Sequence, residues 1–431
     1  MKKTFTLFFA TIMALCSYAQ EKNSAIPEDF GTTVVLQGTK TVKIPFTITN
    51  TGSNNISHVT YELSSDGEVI KKRQTSISIR SGEKGQITLS IKPETECKKS
   101  KMEFTITQVN GKTNTSEKTT ATGNVVTILE KPAVTPLVEE FTGTWCGWCP
   151  VGFDGMERAH ETFGNKASLI AIHYEDPMAV SEFQSLVSRV DGFPSAILDR
   201  GSDFYPAAND LKKKIESDIN EKIAAGSIEV NAAWASATKN AINIVTKTKF
   251  VYSDDNANYA IGYAITEDGM KGSGSNWAQT NNLSKNSGYS SIPFWYNAPS
   301  KVTDIEFNHV GVAAWGLENG IEGSVSPEFQ AGEEQTYTYK ANISGKKLIQ
   351  NKSKLTVIAI LIDRSNGSIV NTAQTTIEDY NPTGINDIES TEMTNNKNKD
   401  DKFYDLSGRK VNAPKKGGIY IVNGRKVSIG K

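Results

Sequence analysis

The sequence predicts a mixed-class, multidomain chain: one α/β unit of about 90 residues between two all-β domains. Three observations predict it. Apolar and polar residues alternate with period two over residues 31–130. From Leu137 short apolar strands are separated by segments of helical period. The alternation then returns over residues 227–380. A length of 431 residues agrees, since one core rarely serves so long a chain and roughly 2–4 domains are expected.

The first residues stand apart. Lys2 and Lys3 form a basic start, and residues 5–15 are an apolar run too short to span a bilayer. Ser17 and Ala19 are the small residues a cleavage site wants. Residues 1–19 therefore read as a secretory signal peptide. A lipoprotein signal using Cys16 is the alternative, and Leu15 is large where a small residue is preferred. No later stretch is long and apolar enough to cross a membrane as a helix. With 47 basic against 48 acidic residues and a net charge of -1, no global field favours a polynucleotide, and nucleic acid is excluded as an expected partner.

Residues 31–130 alternate at Val42, Ile44, Phe46 and Ile48, at Val59, Tyr61 and Leu63, at Ile87, Leu89 and Ile91, and at Met102, Phe104 and Ile106. Turn signals lie between them at Gly52, Asp66-Gly67, Ser81-Gly82 and Asn110-Gly111. Short strands so spaced predict an antiparallel, immunoglobulin-like β-sandwich. Lys131-Pro132 and Pro136 then punctuate the chain. In residues 134–226, strands are expected at 137–141, 169–172 and 196–198. Helices are expected after the cysteine pair up to Gly164, through Val180, Phe183, Val187 and Val190, and through Leu211, Ile215, Ile219 and Ile223. Residues 227–380 predict a second β-sandwich. It has long Ser-, Asn- and Gly-rich loops over 272–291, with Trp277, Trp295 and Trp315 read as packing residues. Residues 381–402 read as a polar linker. Residues 403–431 regain strand pattern, but a segment so short cannot bury a core alone.

The chemistry concentrates in Trp145-Cys146-Gly147-Trp148-Cys149-Pro150, between a strand and a helix. Free backbone N–H groups at a helix N-terminus favour a thiolate over a thiol. The first cysteine is then the exposed nucleophile, and the second, one turn on, attacks the mixed disulfide. Glu140, six residues before Cys146, is placed to exchange a proton with Cys149; a solvent-facing strand position is its bland alternative, since Glu139 is acidic too. Phe193-Pro194 lies 45 residues past Cys149, and a proline before the third strand suits a cis peptide that presents backbone to a substrate chain. Trp145, Trp148, Phe193 and His173 are the candidate substrate-binding residues. His173, at a strand end, either helps protonate a leaving thiol or makes a local loop hydrogen bond; His160 reads as an exposed helix-face residue. A zinc site needs four ligands, and only Cys97 and four scattered histidines could complete one. No metal and no other cofactor is expected. A static disulfide closes too small a loop to stabilise much, and an inactive remnant is the remaining alternative. Once the signal is removed, Cys97 is left over; it reads as a buried, inert thiol, with intermolecular pairing as its alternative.

These residues, with Pro194, resemble the thioredoxin superfamily, with Glu140 at the position of its buried acid. Pro150 and the Gly147-Trp148 pair depart from the usual pattern and leave redox direction open. More narrowly, Glu139-Glu140-Phe141-Thr142-Gly143 through Pro150 and His173 to Pro177 resemble the Omp-type thioredoxin-like outer-membrane proteins of Bacteroidota. That resemblance extends over Thr266-Glu267-Asp268-Gly269 and Val370-Asn371. Leu406-Ser407-Gly408-Arg409 and Gly418-Ile419-Tyr420-Ile421 resemble a type IX secretion sorting tail. The resemblance implies a thioredoxin-like central domain and an exported protein of the cell envelope, at the outer-membrane surface or secreted, with the periplasm as another station. The expected function is thiol–disulfide oxidoreduction on exported protein thiols and disulfides, with Cys146, Cys149, Glu140 and Pro194 catalytic. It needs an electron donor or acceptor, and the tail implies outer-membrane secretion machinery as a partner. The alternative is a surface binding or adhesive protein with little redox activity.

Overall fold

The computed structural model describes residues 22–381, with 403–404, 410–411, 419–422 and 425–428 beyond them. The signal-peptide reading, and the linker except for Asn381, lie outside the described residues. The architecture is mostly β, in several sheets.

The N-terminal strands are β1 (Ala25–Pro27), β2 (Thr32–Leu36), β3 (Val42–Asn50), β4 (Ile56–Ser65), β5 (Glu68–Ile79), β6 (Lys84–Ile91), β7 (Lys99–Val109), β8 (Lys112–Thr113) and β9 (Thr120–Ile128). They form two sheets, ordered β1-β3-β6 and β2-β9-β7-β4-β5 with β8 on β7. Alternation dictates the layering: Ile44, Phe46, Ile48, Tyr61, Leu63 and Phe104 point between the sheets, and Lys43 and Lys72 point away. Phe46 and Phe104 stack at 4.6 Å. One pairing differs from the antiparallel expectation: β2 runs parallel to β9. These strands come from opposite ends of the domain, so no tight hairpin constrains their direction.

The next strands and helices are β10 (Leu137–Thr142), α1 (Pro150–Phe163), β11 (Ser168–His173), α2 (Gln184–Val187), β12 (Ser195–Leu198), β13 (Asp203–Phe204) and α3 (Ala208–Glu221). β10 pairs in parallel with β11 and antiparallel with β12, giving the order β13-β12-β10-β11. α1 begins with Pro150, whose missing N–H costs nothing at a first turn, and stops at Gly164, where φ is 51°. The helix expected through Val190 is only a 3-10 turn followed by α2. Val180, Val187 and Val190 nevertheless pack on one core with Phe183 and Leu186, so the apolar spacing reports a shared face rather than a long helix.

The second sandwich was expected to be a separate unit, but its strands continue the same sheet. β14 (Gly226–Trp234), β15 (Ala241–Phe250), β16 (Tyr259–Glu267), β19 (Val310–Trp315), β20 (Glu334–Asn342), β21 (Leu355–Asp363) and β22 (Ser368–Glu378) complete eleven strands in the order β13-β12-β10-β11-β19-β16-β21-β22-β14-β15-β20; β17 (Gln279–Thr280) and β18 (Lys301–Val302) form a separate pair. The reason lies in β11. Every one of its residues is buried, so its outer edge also needs a partner. β19 supplies it, with Ala171 opposite Val310 and the Ala171 N–H donating to His309 O at 2.7 Å. The far end of the sheet shares a core with its middle: Ile228, Val230, Ile242 and Ile244 cluster with Tyr263, Val312 and Val357. Val126 and Ile128 pack with Val251 and Tyr252 to join the N-terminal sandwich.

In the C-terminal segment, β23 (Phe403–Tyr404), β24 (Lys410–Val411), β25 (Ile419–Val422) and β26 (Arg425–Ser428) form a sheet of their own, ordered β24-β23-β25-β26. Among the described residues none of these strands adds to the large sheet.

Candidate redox site

Cys146 and Cys149 form a disulfide, with Cα atoms 5.4 Å apart. β10 delivers the chain to a turn in which the Cys146 N–H donates to Gly143 O and the Cys149 N–H to Cys146 O. Cys149 is the N-cap of α1, so the pair sits at the positive end of the helix. The expectation of an exposed first cysteine is not met in this oxidised form. Cys146 is only 5% exposed and Cys149 fully buried, while Trp145 and Trp148 on either side are exposed.

β10 is buried on both faces, so neither of its acidic residues faces solvent. Glu139 points to the side of Phe183 and meets buried Arg200 at 3.4 Å. Burial pushes its carboxyl up, with Arg200 opposing. Arg200 also donates to Leu317 O and Glu318 O, which ties the α/β unit to the loop after β19. Glu140 points the other way, beneath α1. Both its oxygens are buried without a partner at full hydrogen-bond geometry among the described residues, and burial raises its pKa to about 8, with the nearby Thr142 hydroxyl opposing. At neutral pH it is therefore a neutral acid carrying a proton. Gly152 makes its space: a Cβ there would lie 2.2 Å from Glu140 Oε1. Glycine inside a helix costs about 1 kcal/mol relative to alanine, and here it admits the longer acid.

The Phe193–Pro194 peptide is cis, and Pro194 is buried. Phe193 joins Trp145 at 5.5 Å and Tyr174 at 5.7 Å in an aromatic patch. The Trp145 indole N–H holds its ring there by donating to Tyr174 O at 2.8 Å. Trp148 lies on the other side, 5.7 Å from Tyr289. Trp145 and Trp148 thus lie exposed on either side of the disulfide, with Phe193 packed against Trp145. His173 does not share that surface. It is buried, its Nδ1 2.6 Å from Asp176 Oδ2, and its Nε2 has no partner among the described residues. Asp176 also accepts from the N–H groups of Thr144 and Met178. His173 and Asp176 together therefore fix the turn before Cys146 from below.

Sequence reasoning missed Asp176, Arg200 and the loop residues Gln279 and Asn282. Asp176 carried a faint signal as part of a polar run after a strand. The other three carried none, because each meets the site from a distant part of the chain. His160 lies 5.0 Å from His309 by ring centroid. Cys97 is free and buried, and burial pushes its thiol up. No group of three or more metal-ligating side chains occurs among the described residues.

The chain is similar to a thioredoxin over part of its length. Thioredoxin X, chloroplastic, of Arabidopsis thaliana is 31% identical over 83 residues, 19% of this chain. The match spans 42% of that relative, less than half its length. Among solved structures, HBP35 of Porphyromonas gingivalis covers 69% of this chain and 98% of its own, at 18% identity and a TM-score of 0.44. A domain of the outer membrane lipoprotein Omp28 from the same organism covers 37% of this chain and 93% of its own, at 16% identity and a TM-score of 0.20. A CARDB domain of PF1109 from Pyrococcus furiosus covers 26% of this chain and 97% of its own, at 21% identity and a TM-score of 0.22. No family model matches the chain.

Proposed function

We propose that the protein is an exported thiol–disulfide oxidoreductase acting on cell-envelope or secreted proteins through Cys146 and Cys149. The observation that carries this reading is the disulfide at the head of α1, with Glu140 fully buried beneath the helix's first turn and its pKa pushed up by that burial. A structural disulfide has no use for an unpaired carboxyl, whose burial is costly. A leaving thiolate does, because it needs a proton. In the oxidising direction a partner thiolate attacks Cys146 Sγ. The Cys146–Cys149 bond breaks, and Cys149 leaves and takes the Glu140 proton. A second partner thiolate then displaces Cys146, so the partner is oxidised and the dithiol reduced. The reducing direction is the reverse sequence. Pro194 presents the substrate strand, and Trp145, Trp148 and Phe193 hold its flanks. Export rests on the signal reading of residues 1–19. The C-terminal segment is an address or docking element, separable from this chemistry.

The test is disulfide exchange by the mature protein with a model substrate. Cys146→Ser should lose at least about 100-fold in rate, the nucleophile being the thiolate itself. Equal rates for the two proteins defeat the proposal. Cys149→Ser should trap envelope partners as mixed disulfides. The second reading, a surface-binding protein, has one observation in its favour: Val69 and Ile70 are exposed on the edge strand β5. Partners captured equally by both cysteine variants and retained under reducing conditions would favour it.

A further inference from the structure

The cysteine loop is roofed by a segment from the far side of the chain. Gln279 lies 133 residues beyond Cys146, yet its Nε2 donates to Cys146 O at 2.8 Å. The Thr280 N–H donates to Thr144 O and the Asn282 N–H to Gly147 O, each at 2.8 Å. Thr144 returns a bond from its hydroxyl to Asn276 O. The Asn282 carboxamide lies where a side chain at Gly147 would go; a Cβ there would come within 2.4 Å of it.

The roof has its own foundation. Leu283, Trp295 and Val302 pack with Val151 of α1 as a small core. Asn281 donates to Trp295 O and Pro299 O, and β17 pairs with β18. The contact is therefore a built one and not a loop lying by chance on the site. Its consequence is the burial of Cys146 between two exposed tryptophans.

We infer that residues 276–283 are a substrate-selecting cover over the dithiol, and that Gln279 is the residue that holds it shut. The inference rests on the oxidoreductase reading. With the cover closed, approach is left to the Trp145–Phe193 side, which suits small disulfides and narrow extended segments. A disulfide held in a folded protein has to displace the cover first. The chemistry is balanced as follows. The reduced Cys146 thiolate attacks one sulfur of a substrate disulfide and expels the other. The Cys149 thiolate then attacks Cys146 Sγ and releases the substrate's first sulfur. Two electrons pass from the dithiol to the substrate, whose two thiolates take up two protons.

Gln279 is a positioning residue, and its geometry supplies the test. Its amide nitrogen faces three carbonyl oxygens, those of Cys146, Thr280 and, at 3.5 Å, Gly143. Gln279→Glu puts a carboxylate against three acceptors and should open the cover. Asn282→Ala removes the carboxamide that packs over Gly147 and loosens the cover from its own side. The full mature protein, reduced with dithiothreitol and desalted, is assayed against glutathione disulfide and against insulin. Both variants should raise the insulin rate about tenfold, as expected when a binding-competent state becomes more populated. The rate on glutathione disulfide should change by less than about twofold. The Gln279→Glu gain should shrink as pH falls and the carboxylate is neutralised.

An unchanged insulin rate, or equal gains on both substrates, in variants that melt like wild type overturns the cover alone. If wild type and both variants fail even on glutathione disulfide, the oxidoreductase reading fails and takes the cover with it. Should the variants not fold, wild-type hydrogen exchange decides. The Thr280 and Asn282 amides should lose protection when Cys146 is held in a mixed disulfide with a small folded protein, and unchanged protection overturns the inference.

Discussion

The N-terminal sandwich and the eleven-stranded sheet solve the same problem, covering apolar strands, in opposite ways. The central strands of the sandwich each have one dry face. Its inward residues are mostly apolar, with the small polar residues Asn50, Ser65 and Ser100 buried near strand ends and no buried carboxylate among them, and its ion pairs, such as Lys72–Glu62 and Lys118–Asp29, sit at the surface, where they contribute little. In the large sheet β10 and β11 are dry on both faces, and Glu139, Glu140 and His173 lie inside with them. A region that can leave its polar groups in water carries little information about function. A region that buries them does so at a cost, so each buried group needs a reason. That contrast points to β10 without any reference to cysteine.

Core truncation gives the largest effect that sharpens the comparison. Phe104→Ala in the sandwich should cost about 3–5 kcal/mol, and Ile172→Ala in β11 about 2–5 kcal/mol. If the two regions are energetically separate, Phe104→Ala lowers one calorimetric transition and leaves disulfide exchange intact. Ile172→Ala lowers the other transition and slows exchange. A single transition shifted by both variants would show that the Val126, Ile128, Val251 and Tyr252 junction couples the regions and would break the comparison.

The same contrast explains what was legible in the sequence. Alternation exposed β3, β4, β6 and β7 because a half-wet strand writes its burial into every second residue. The cysteine pair, Glu140 and Pro194 were legible because motif and register fix them locally. The pairing of β11 with β19 was not, since a continuous apolar run says that an edge is covered without saying by what. Nor was the Glu139–Arg200 pair, nor the roof over the cysteines. Gln279 and Asn282 sit in a polar, glycine-rich stretch whose composition is that of any surface loop. Their meaning comes from three-dimensional neighbours more than a hundred residues away.

Next in size is the pH dependence of stability. The Glu140 carboxyl ordinarily titrates at 4.5 and is raised to about 8 in the fold. Below pH 4.5 it is protonated in both states and contributes no difference. Between 4.5 and 8 the unfolded chain has lost its proton while the native protein keeps it, so stability falls as pH rises. Above 8 the loss is complete, on the order of 5 kcal/mol. Glu140→Gln should abolish this slope, so its stability relative to wild type rises from pH 5 to pH 8. Chemical denaturation at several pH values measures it, and parallel curves for the two proteins would mean that Glu140 reaches water.

The smallest effect tests why that acid fits at all. In the sandwich, Gly67 sits in the turn between β4 and β5 with nothing within 4 Å of a built Cβ. Gly152 is different: it lies within α1, where alanine is favoured by about 1 kcal/mol, and it faces the Glu140 carboxyl group. Gly152→Ala should therefore destabilise the protein by roughly 1–3 kcal/mol, against the direction that helix propensity alone gives. Shortening the acid removes the clash, so Glu140→Asp should restore most of the loss in the double variant. The coupling read from such a cycle should be well above the few tenths of a kcal/mol seen for independent sites. A stabilising Gly152→Ala, or losses that simply add, would show that the carboxyl has room to turn aside. The glycine would then belong to the approach of α1 to the Pro206 backbone, which Gly155 already serves with a Cβ-to-carbonyl distance of 2.3 Å.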